Sequence, residues 1–409
     1  MKNLFRLLLH LSLCLPSLVF SEVQLGNEVL ARSGFQAVRG KRIGLITNPS
    51  GVNRNLQSTI EVLRAAPGVN LAALFGPEHG VYGDVPAGDK IESRTDQRTG
   101  LPVHSLYGAT YKPTAEMLKG LDAMVYDLQD TGCRSYTFIS TMGVAMEACA
   151  DAGVEFIVLD RPNPLGGERI EGPRLEEKYR SFVSRWNVPY VYGLTCGELA
   201  RMIEGEGWIK SRGKLTVVPM KGWRRSMVWR ETGLPWVPNS PHVPHDESPL
   251  FQVATGMLGE IGGVSTGIGY TLPFQCIAAP GLDAHGMAGL LNGYQLPGVR
   301  FKAITYKPFY FTFKDQDIAG VELFFADPRK APLAAINFYA LEALKKLAGR
   351  DLFAEAAEAK KSFNMFDKVN GTDQTRRALQ AGASAREIVA SWKAGEETFR
   401  KERKKYLLY

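Results

Sequence analysis

From Lys41 onward, short apolar segments alternate with segments of helical periodicity, and this alternation constrains the fold of the 409-residue chain more than any other feature. It is typical of repeated βαβ units around a parallel sheet. The apolar patterns predict strands and helices as follows: strands over 42–47, 69–74, 102–106, 123–126, 155–159 and 215–218, and helices over 58–66, 115–119, 142–152 and 196–206. The fold is therefore predicted to be α/β, with a Rossmann-like parallel sheet.

The residue composition changes after the last of these strands, and this change indicates a second domain. A stretch rich in Pro and Trp covers 223–249. The segments beyond it mix turns, a β pattern and helices, at 259–269, 300–313, 332–347 and 385–404. We therefore expect a Rossmann-like catalytic domain over 22–248 and a smaller α+β domain over 249–409 that completes a cleft.

The first 21 residues have the composition of an export signal. Lys2 and Arg6 flank a short apolar run over 7–20, and small residues at 19 and 21 fit the rule for a cleavage site after Ser21. No stretch of the chain reaches the roughly 20 apolar residues that a membrane span requires. The sequence thus predicts an exported protein, periplasmic or secreted, without stable membrane insertion.

Charge and motif content argue against several classes of function. The formal net charge is +7, but the basic residues are scattered until 400–405, so no nucleic-acid-binding stripe is expected. The first strand runs into Thr47-Asn48-Pro49-Ser50-Gly51 rather than G-x-G-x-x-G, which argues against a nucleotide cofactor. His242, His245 and Asp246 have a spacing compatible with metal ligands, yet the prolines around them favour an extended loop. We therefore predict neither a cofactor nor a metal.

Polar residues follow the predicted strands where each strand ends. Glu78 and His79 lie on a turn, Phe75-Gly76-Pro77-Glu78-His79-Gly80, which its Gly and Pro residues make stiff. The other strand ends carry Asn48, Asp127, Gln129, Asp130, Asp160 and Asn163. Carboxyl ends of parallel strands meet at one edge of the sheet, so these groups are expected to surround a small polar ligand. The alternative is that they cap helices and stabilise turns.

With these motifs, the chain resembles the exo-β-N-acetylmuramidase family. The segments that carry the resemblance are Gly44–Gly51, Phe75–Gly80, Tyr126–Asp130 followed by Arg134, Tyr136 and Thr137, and Asp160–Gly167. The resemblance implies a Rossmann-like domain joined to a smaller one, and cofactor-free hydrolysis that releases N-acetylmuramic acid from the non-reducing end of peptidoglycan fragments. It also places the family's proposed catalytic glutamate at Glu78.

Two segments depart from the family pattern. Ser265-Thr266-Gly267-Ile268-Gly269 stands where many members have Ser-Glu-Gly-Arg-Gly, and Pro241-His242-Val243-Pro244 stands where they have Pro-Asn-x-Pro. The missing Glu and Arg bear on substrate identity.

Cleavage of a glycosidic bond normally uses two carboxylates that flank the bond. We expect Glu78 to be the general acid and Asp130 the second catalytic group, with Asp127, Glu260 or the acetamide of the substrate as alternatives. Arg134 is expected to pair with the lactyl carboxylate of a muramic-acid-terminated saccharide and Asn48 to bind a sugar hydroxyl. The other expected substrate-binding residues are His79, Asp127, Gln129, Tyr136, Asp160, Asn163 and Glu260.

Two other functions are compatible with the same sequence. Two α/β domains behind an export signal would also suit a non-catalytic periplasmic protein that binds sugars or muropeptides. A deacetylase or metallohydrolase that uses His242 and His245 is the third hypothesis, and it predicts loss of activity with a chelator.

Overall fold

The computed structural model describes residues 22–86 and 88–409, so the predicted export signal lies outside the described residues. The strands are β1 (Arg42–Thr47), β2 (Asn70–Gly76), β3 (Arg94–Thr95), β4 (Pro102–Ser105), β5 (Ala123–Asp127), β6 (Glu155–Leu159), β7 (Leu215–Val218), β8 (Cys276–Ala279), β9 (Val299–Tyr306) and β10 (Ile318–Phe325). The α-helices of the first part are α1 (Gly26–Arg32), α2 (Thr59–Ala65), α3 (Ala115–Leu118), α4 (Phe138–Ala152) and α5 (Cys196–Gly205).

The helices of the second part follow the Pro- and Trp-rich stretch. They are α6 (Ser248–Ile261), α7 (Ala284–Gly293), α8 (Leu333–Ala348), α9 (Leu352–Glu358), α10 (Asn364–Asn370), α11 (Gln374–Gln380) and α12 (Ala385–Glu402). Short 3-10 helices cover Glu177–Tyr179, Trp229–Thr232 and Arg403–Tyr406.

Seven strands form one sheet in the order β3-β4-β2-β1-β5-β6-β7, and all neighbours pair in parallel except β3 with β4. Strand β1 lies near the centre, and every residue in it except Arg42 is buried. A parallel sheet covered on both faces needs such continuous apolar strands. The predicted α/β fold is confirmed, and the six predicted strands match the six parallel ones to within two residues at each end.

The second part contains a three-stranded antiparallel sheet in the order β8-β10-β9, packed with helices α6, α7 and α8 in one apolar core. The single β segment predicted over 300–313 is wrong. Strand β9 ends at Tyr306, a loop follows, and β10 begins only at Ile318. The apolar run over 309–313 had a β-like composition, but it lies in that loop.

The end of the chain returns to the first part of the molecule. Arg403 donates hydrogen bonds to the carbonyl oxygens of Tyr192 and Gly193, and burial lowers its pKa to about 10. The Tyr409 hydroxyl donates to Asp160 at 2.8 Å. The last residues thus belong by contact to the large sheet. Within residues 22–86 and 88–409, none of the helices combines the length and apolar character needed to cross a membrane.

Candidate functional site

The end of β1 is closed by hydrogen bonds within the protein. The Asn48 side-chain oxygen accepts from the amide and hydroxyl of Ser50, at 2.9 and 2.6 Å, and its amide donates to the carbonyl of Asn239 at 3.0 Å. Asn239 in turn donates to the carbonyl of Gln129 at 2.7 Å, and the Gln129 amide donates to the Pro162 carbonyl at 2.8 Å. Asn239 therefore bridges the ends of β1 and β5. These internal bonds favour a structural role for Asn48 and Gln129, and their contact with substrate stays a prediction.

Asp127, at the end of β5, is fully buried in an ion pair. Arg161 donates to its two oxygens at 2.5 and 3.1 Å, and the Thr59 hydroxyl donates at 2.5 Å. A buried carboxylate with these donors has no contact surface left for a sugar. Asp127 neutralises Arg161 inside the core, which favours a structural role over the predicted contact with substrate.

The residues after β6 form hydrogen bonds with the segment that precedes α5. Asp160 accepts hydrogen bonds from the hydroxyls of Thr195, at 2.7 Å, and Tyr409, and burial raises its pKa to about 6. The Asn163 amide donates to the carbonyl of Leu194 at 2.9 Å. Both side chains are buried. Their contacts favour the alternative interpretation, that polar residues here stabilise turns and helix starts, over the predicted contact with substrate.

Arg134 is wholly enclosed and binds backbone oxygens. It donates to the carbonyls of Pro173 and Val188, both at 2.7 Å, to that of Val369 at 3.0 Å, and to the hydroxyl of Ser184 at 3.2 Å. Burial lowers its pKa to about 10. This enclosure favours a structural role for Arg134, and its pairing with a lactyl carboxylate stays a prediction. It ties the first part of the molecule to α10 of the second.

The end of β2 has a different character. Glu78 is only half-buried, and its two carboxylate oxygens accept hydrogen bonds from the Thr137 hydroxyl at 2.6 Å and the Gly88 amide at 3.0 Å. Thr137 occupies the N-cap position of α4, where a threonine hydroxyl normally accepts a hydrogen bond from the first turn. That cap bond is absent, because the hydroxyl is turned to Glu78. The positive end of α4 therefore lies beside the carboxylate.

His79 is held next to Glu78 in an uncommon backbone conformation, with φ +71°. Its Nδ1 lies 2.9 Å from the carbonyl oxygen of Val85. A carbonyl only accepts, so Nδ1 carries a hydrogen. Burial, and then the charge of His79, lower the pKa of His242, and the Tyr310 hydroxyl is 3.1 Å from Nε2 of His242. A departure from the family pattern, His242, thus lies at the site.

Tyr136 is a buried residue near both Glu78 and Asp130. Burial raises the pKa of Tyr136, and the charges of Asp130 and Glu78 raise it further, so both carboxylates are near its hydroxyl. Asp130 accepts hydrogen bonds through Oδ2 from the Gly132 amide at 2.7 Å and from the Tyr192 hydroxyl. Its Oδ1 is buried without a partner among the described residues. Burial raises the pKa of Asp130 to about 6.

Tyr107 adjoins Glu78, and Glu260 lies on α6 of the second part. Burial, followed by the charge of Glu78, raises the pKa of Tyr107, which places that phenol beside Glu78. Glu260, near the end of α6, has an exposed side chain, yet the protein around it desolvates the carboxyl and raises its pKa. Tyr107 was not among the residues expected from the sequence.

The histidines proposed as metal ligands do not converge. His245 is exposed, and Asp246 lies 3.5 Å from Arg230 in an ion pair. In the part of the chain that the structure describes, no group of three or more His, Cys, Asp or Glu side chains is arranged to hold a metal ion.

Comparison with known proteins agrees with the motifs around Glu78. Family models for the N-terminal and C-terminal parts of the exo-β-N-acetylmuramidase NamZ match residues 43–247 and 252–409. The chain belongs to this family. It is 43% identical over 388 residues to the peptidoglycan β-N-acetylmuramidase NamZ of Bacillus subtilis (strain 168), an alignment that covers 95% of this chain and 92% of that protein. The resemblance noted from the motifs is therefore confirmed.

Solved structures support the same relationship. A DUF1343 family protein from Bacteroides fragilis NCTC 9343 superposes with a TM-score of 0.89 at 48% identity. A second DUF1343 protein from that organism gives a TM-score of 0.74 at 29% identity. Each comparison covers 95% of this chain and 99% of the other, so both parts of the fold are shared.

Proposed function

We propose that the protein is an exo-β-N-acetylmuramidase that hydrolyses the β-1,4 bond of a terminal N-acetylmuramic acid at the non-reducing end of peptidoglycan fragments. The observation that carries this proposal is the carboxylate of Glu78. It is half-exposed at the edge of the sheet while Thr137 and Gly88 fix both of its oxygens. The activity named for the Bacillus subtilis relative supports the same substrate.

In this mechanism Glu78 protonates the oxygen of the leaving sugar. Asp130, whose pKa of about 6 leaves it ionised at neutral pH, accepts a proton from the attacking water through its unpartnered Oδ1. Tyr136 lies near both carboxylates and orients the water or the sugar. The nearness of Asp130 to Tyr136 favours it over Glu260 as the second catalytic group.

Paired variants distinguish the two candidates for the second carboxylate. If Asp130 is the base, Asp130→Asn reduces kcat by about 10²-fold or more, whereas Glu260→Gln mainly raises KM. Both are measured by release of free muramic acid. A large loss of kcat in Glu260→Gln alone would transfer the role to Glu260.

A single assay separates the enzyme from a binding protein. The wild-type protein is incubated with a disaccharide that has N-acetylmuramic acid at its non-reducing end, and with a matched disaccharide that has N-acetylglucosamine there. We expect free sugar from the first only. Binding without release would favour the non-catalytic alternative. We also propose that the reaction is metal-independent, so prior treatment with a chelator should leave the rate unchanged, and a lost rate would support a metallohydrolase.

We further propose that the protein is exported and that the mature chain begins at Glu22, because Lys2, Arg6 and the apolar run over 7–20 form a signal pattern. The proposed substrate lies outside the cytoplasm, which fits this location. N-terminal sequencing of the protein from its native host tests the cleavage site, and a chain that retains Met1 in the cytoplasm would contradict it.

A further inference from the structure

Three consecutive aromatic side chains are exposed in the loop between β9 and β10. Phe309, Tyr310 and Phe311 have exposed fractions of 55%, 47% and 68%. Contiguous apolar patches on soluble proteins usually mark binding surfaces. We call residues 308–313 the aromatic loop.

The backbone of the aromatic loop is held in place by several contacts. The Phe309 amide donates to the Gly269 carbonyl at 2.7 Å, and the Asp315 amide donates to the Pro308 carbonyl at 2.9 Å. A Cβ on Gly269 would lie 2.0 Å from the carbonyl oxygen of Tyr310, so the close approach requires glycine. Phe311 adopts φ +65°, which a phenylalanine rarely does. These backbone contacts hold the loop in the conformation in which its aromatic rings are exposed.

The aromatic loop continues the site described above. The Tyr310 hydroxyl is 3.1 Å from Nε2 of His242, and the two rings are stacked, with centroids 6.3 Å apart and an interplanar angle of 19°. His242 is close enough to His79 for the two charges to interact, and His79 directly follows Glu78. The aromatic loop is thus joined by the Tyr310–His242 contact to a segment that lies close to His79, the neighbour of Glu78.

We propose that the aromatic loop binds sugar rings of the substrate that lie beyond the first leaving sugar, on the reducing-end side. This rests on the proposed exo-muramidase function. An exo-acting enzyme leaves one sugar on the non-reducing side of the cleaved bond, so an open surface that extends away from Glu78 has to hold the rest of the glycan. The C–H faces of sugar rings pack against aromatic faces, as other apolar groups do.

The test uses the full-length protein with the double variant Phe309→Ala/Phe311→Ala. The two substrates are a muramic-acid-terminated disaccharide and the tetrasaccharide that extends it. We expect KM for the tetrasaccharide to rise about tenfold with kcat unchanged, and KM for the disaccharide to change by less than about twofold. Equal effects on both substrates, or no effect on either, would overturn the proposal.

Phe324→Ala is the matched control, because Phe324 is also exposed but lies on β10 outside the loop. It should leave both KM values unchanged. If the wild type releases no sugar from the disaccharide, the proposed function fails, and calorimetric binding of the tetrasaccharide to wild type and double variant still tests the loop. A wild-type dimer that the double variant converts to a monomer, with unchanged binding, would assign the surface to contact between copies and overturn the proposal.

Discussion

The end of β2 and the ends of β1, β5 and β6 lie at the same edge of one sheet, and all carry polar residues. At β1, β5 and β6 those residues, Asn48, Asp127 and Asp160, find their partners inside the protein. At β2, Glu78 keeps a half-exposed carboxylate that two donors hold in position. Of these four strand ends, the end of β2 is thus the one that presents a partly exposed carboxylate.

The strongest test of this comparison is Glu78→Gln, which keeps the shape of the side chain and removes its proton. General acid catalysis typically contributes about 10²- to 10⁴-fold, so we expect kcat to fall by that factor. Binding of the muramic-acid-terminated disaccharide and the urea midpoint of unfolding should stay close to wild type. Full activity in Glu78→Gln would place the acid elsewhere.

At the closed end of β5 we expect an effect on stability. Asp127→Ala leaves the buried charge of Arg161 without its partner, which typically costs about 3–5 kcal/mol of unfolding free energy. Urea unfolding measures this loss. The control is Arg98→Ala, which removes an exposed ion pair with Glu61 and should cost about 1 kcal/mol or less. A stable Asp127→Ala protein with lost activity would instead make Asp127 part of the site.

The comparison also shows which features the sequence could predict. Strand bounds such as Ala123–Asp127 were predictable because a buried parallel strand is a local apolar run, and the Gly and Pro residues around Glu78 mark a stiff turn. The partners of the polar strand ends were not predictable. Thr59 is 68 residues from Asp127, and Val369 is 235 residues from Arg134. No local pattern encodes contacts between segments so far apart.

Composition alone also gave a wrong prediction where strands and loops can have the same residues. The sequence Phe309-Tyr310-Phe311-Thr312-Phe313 is typical of a strand, yet it forms a loop anchored on Gly269. Thr137 lies before the helix predicted over 142–152, and only the structure shows that it precedes α4 directly and that its hydroxyl donates to Glu78.

Thr137→Val therefore tests how Glu78 is positioned. Hydrogen bonds to charged groups are worth about 1.5–3 kcal/mol, so we expect kcat to fall by about 10- to 100-fold with little change in KM. Thr137→Ser, which retains the hydroxyl, should restore most of the activity. The missing cap bond means that Thr137→Val should not cost the stability that loss of an N-cap usually does, and a large drop in the unfolding midpoint would contradict this.

The smallest expected effect is on the pH dependence of stability, and it concerns Asp130 and Asp160. Burial raises the pKa of each of these aspartates to about 6. A raised carboxyl pKa means that the folded state holds the proton more tightly than the unfolded chain, which titrates near pH 4. Their contribution to stability is thus present below about pH 4 and is lost as the pH rises through about 6. Asp130→Asn and Asp160→Asn should each weaken this pH dependence in urea unfolding measured from pH 4 to about 7.

The residual kcat separates the two aspartates: we expect its rise near pH 6 to disappear in Asp130→Asn and to persist in Asp160→Asn. A rise that survives in Asp130→Asn would show that Asp130 is as closed to the reaction as Asp160.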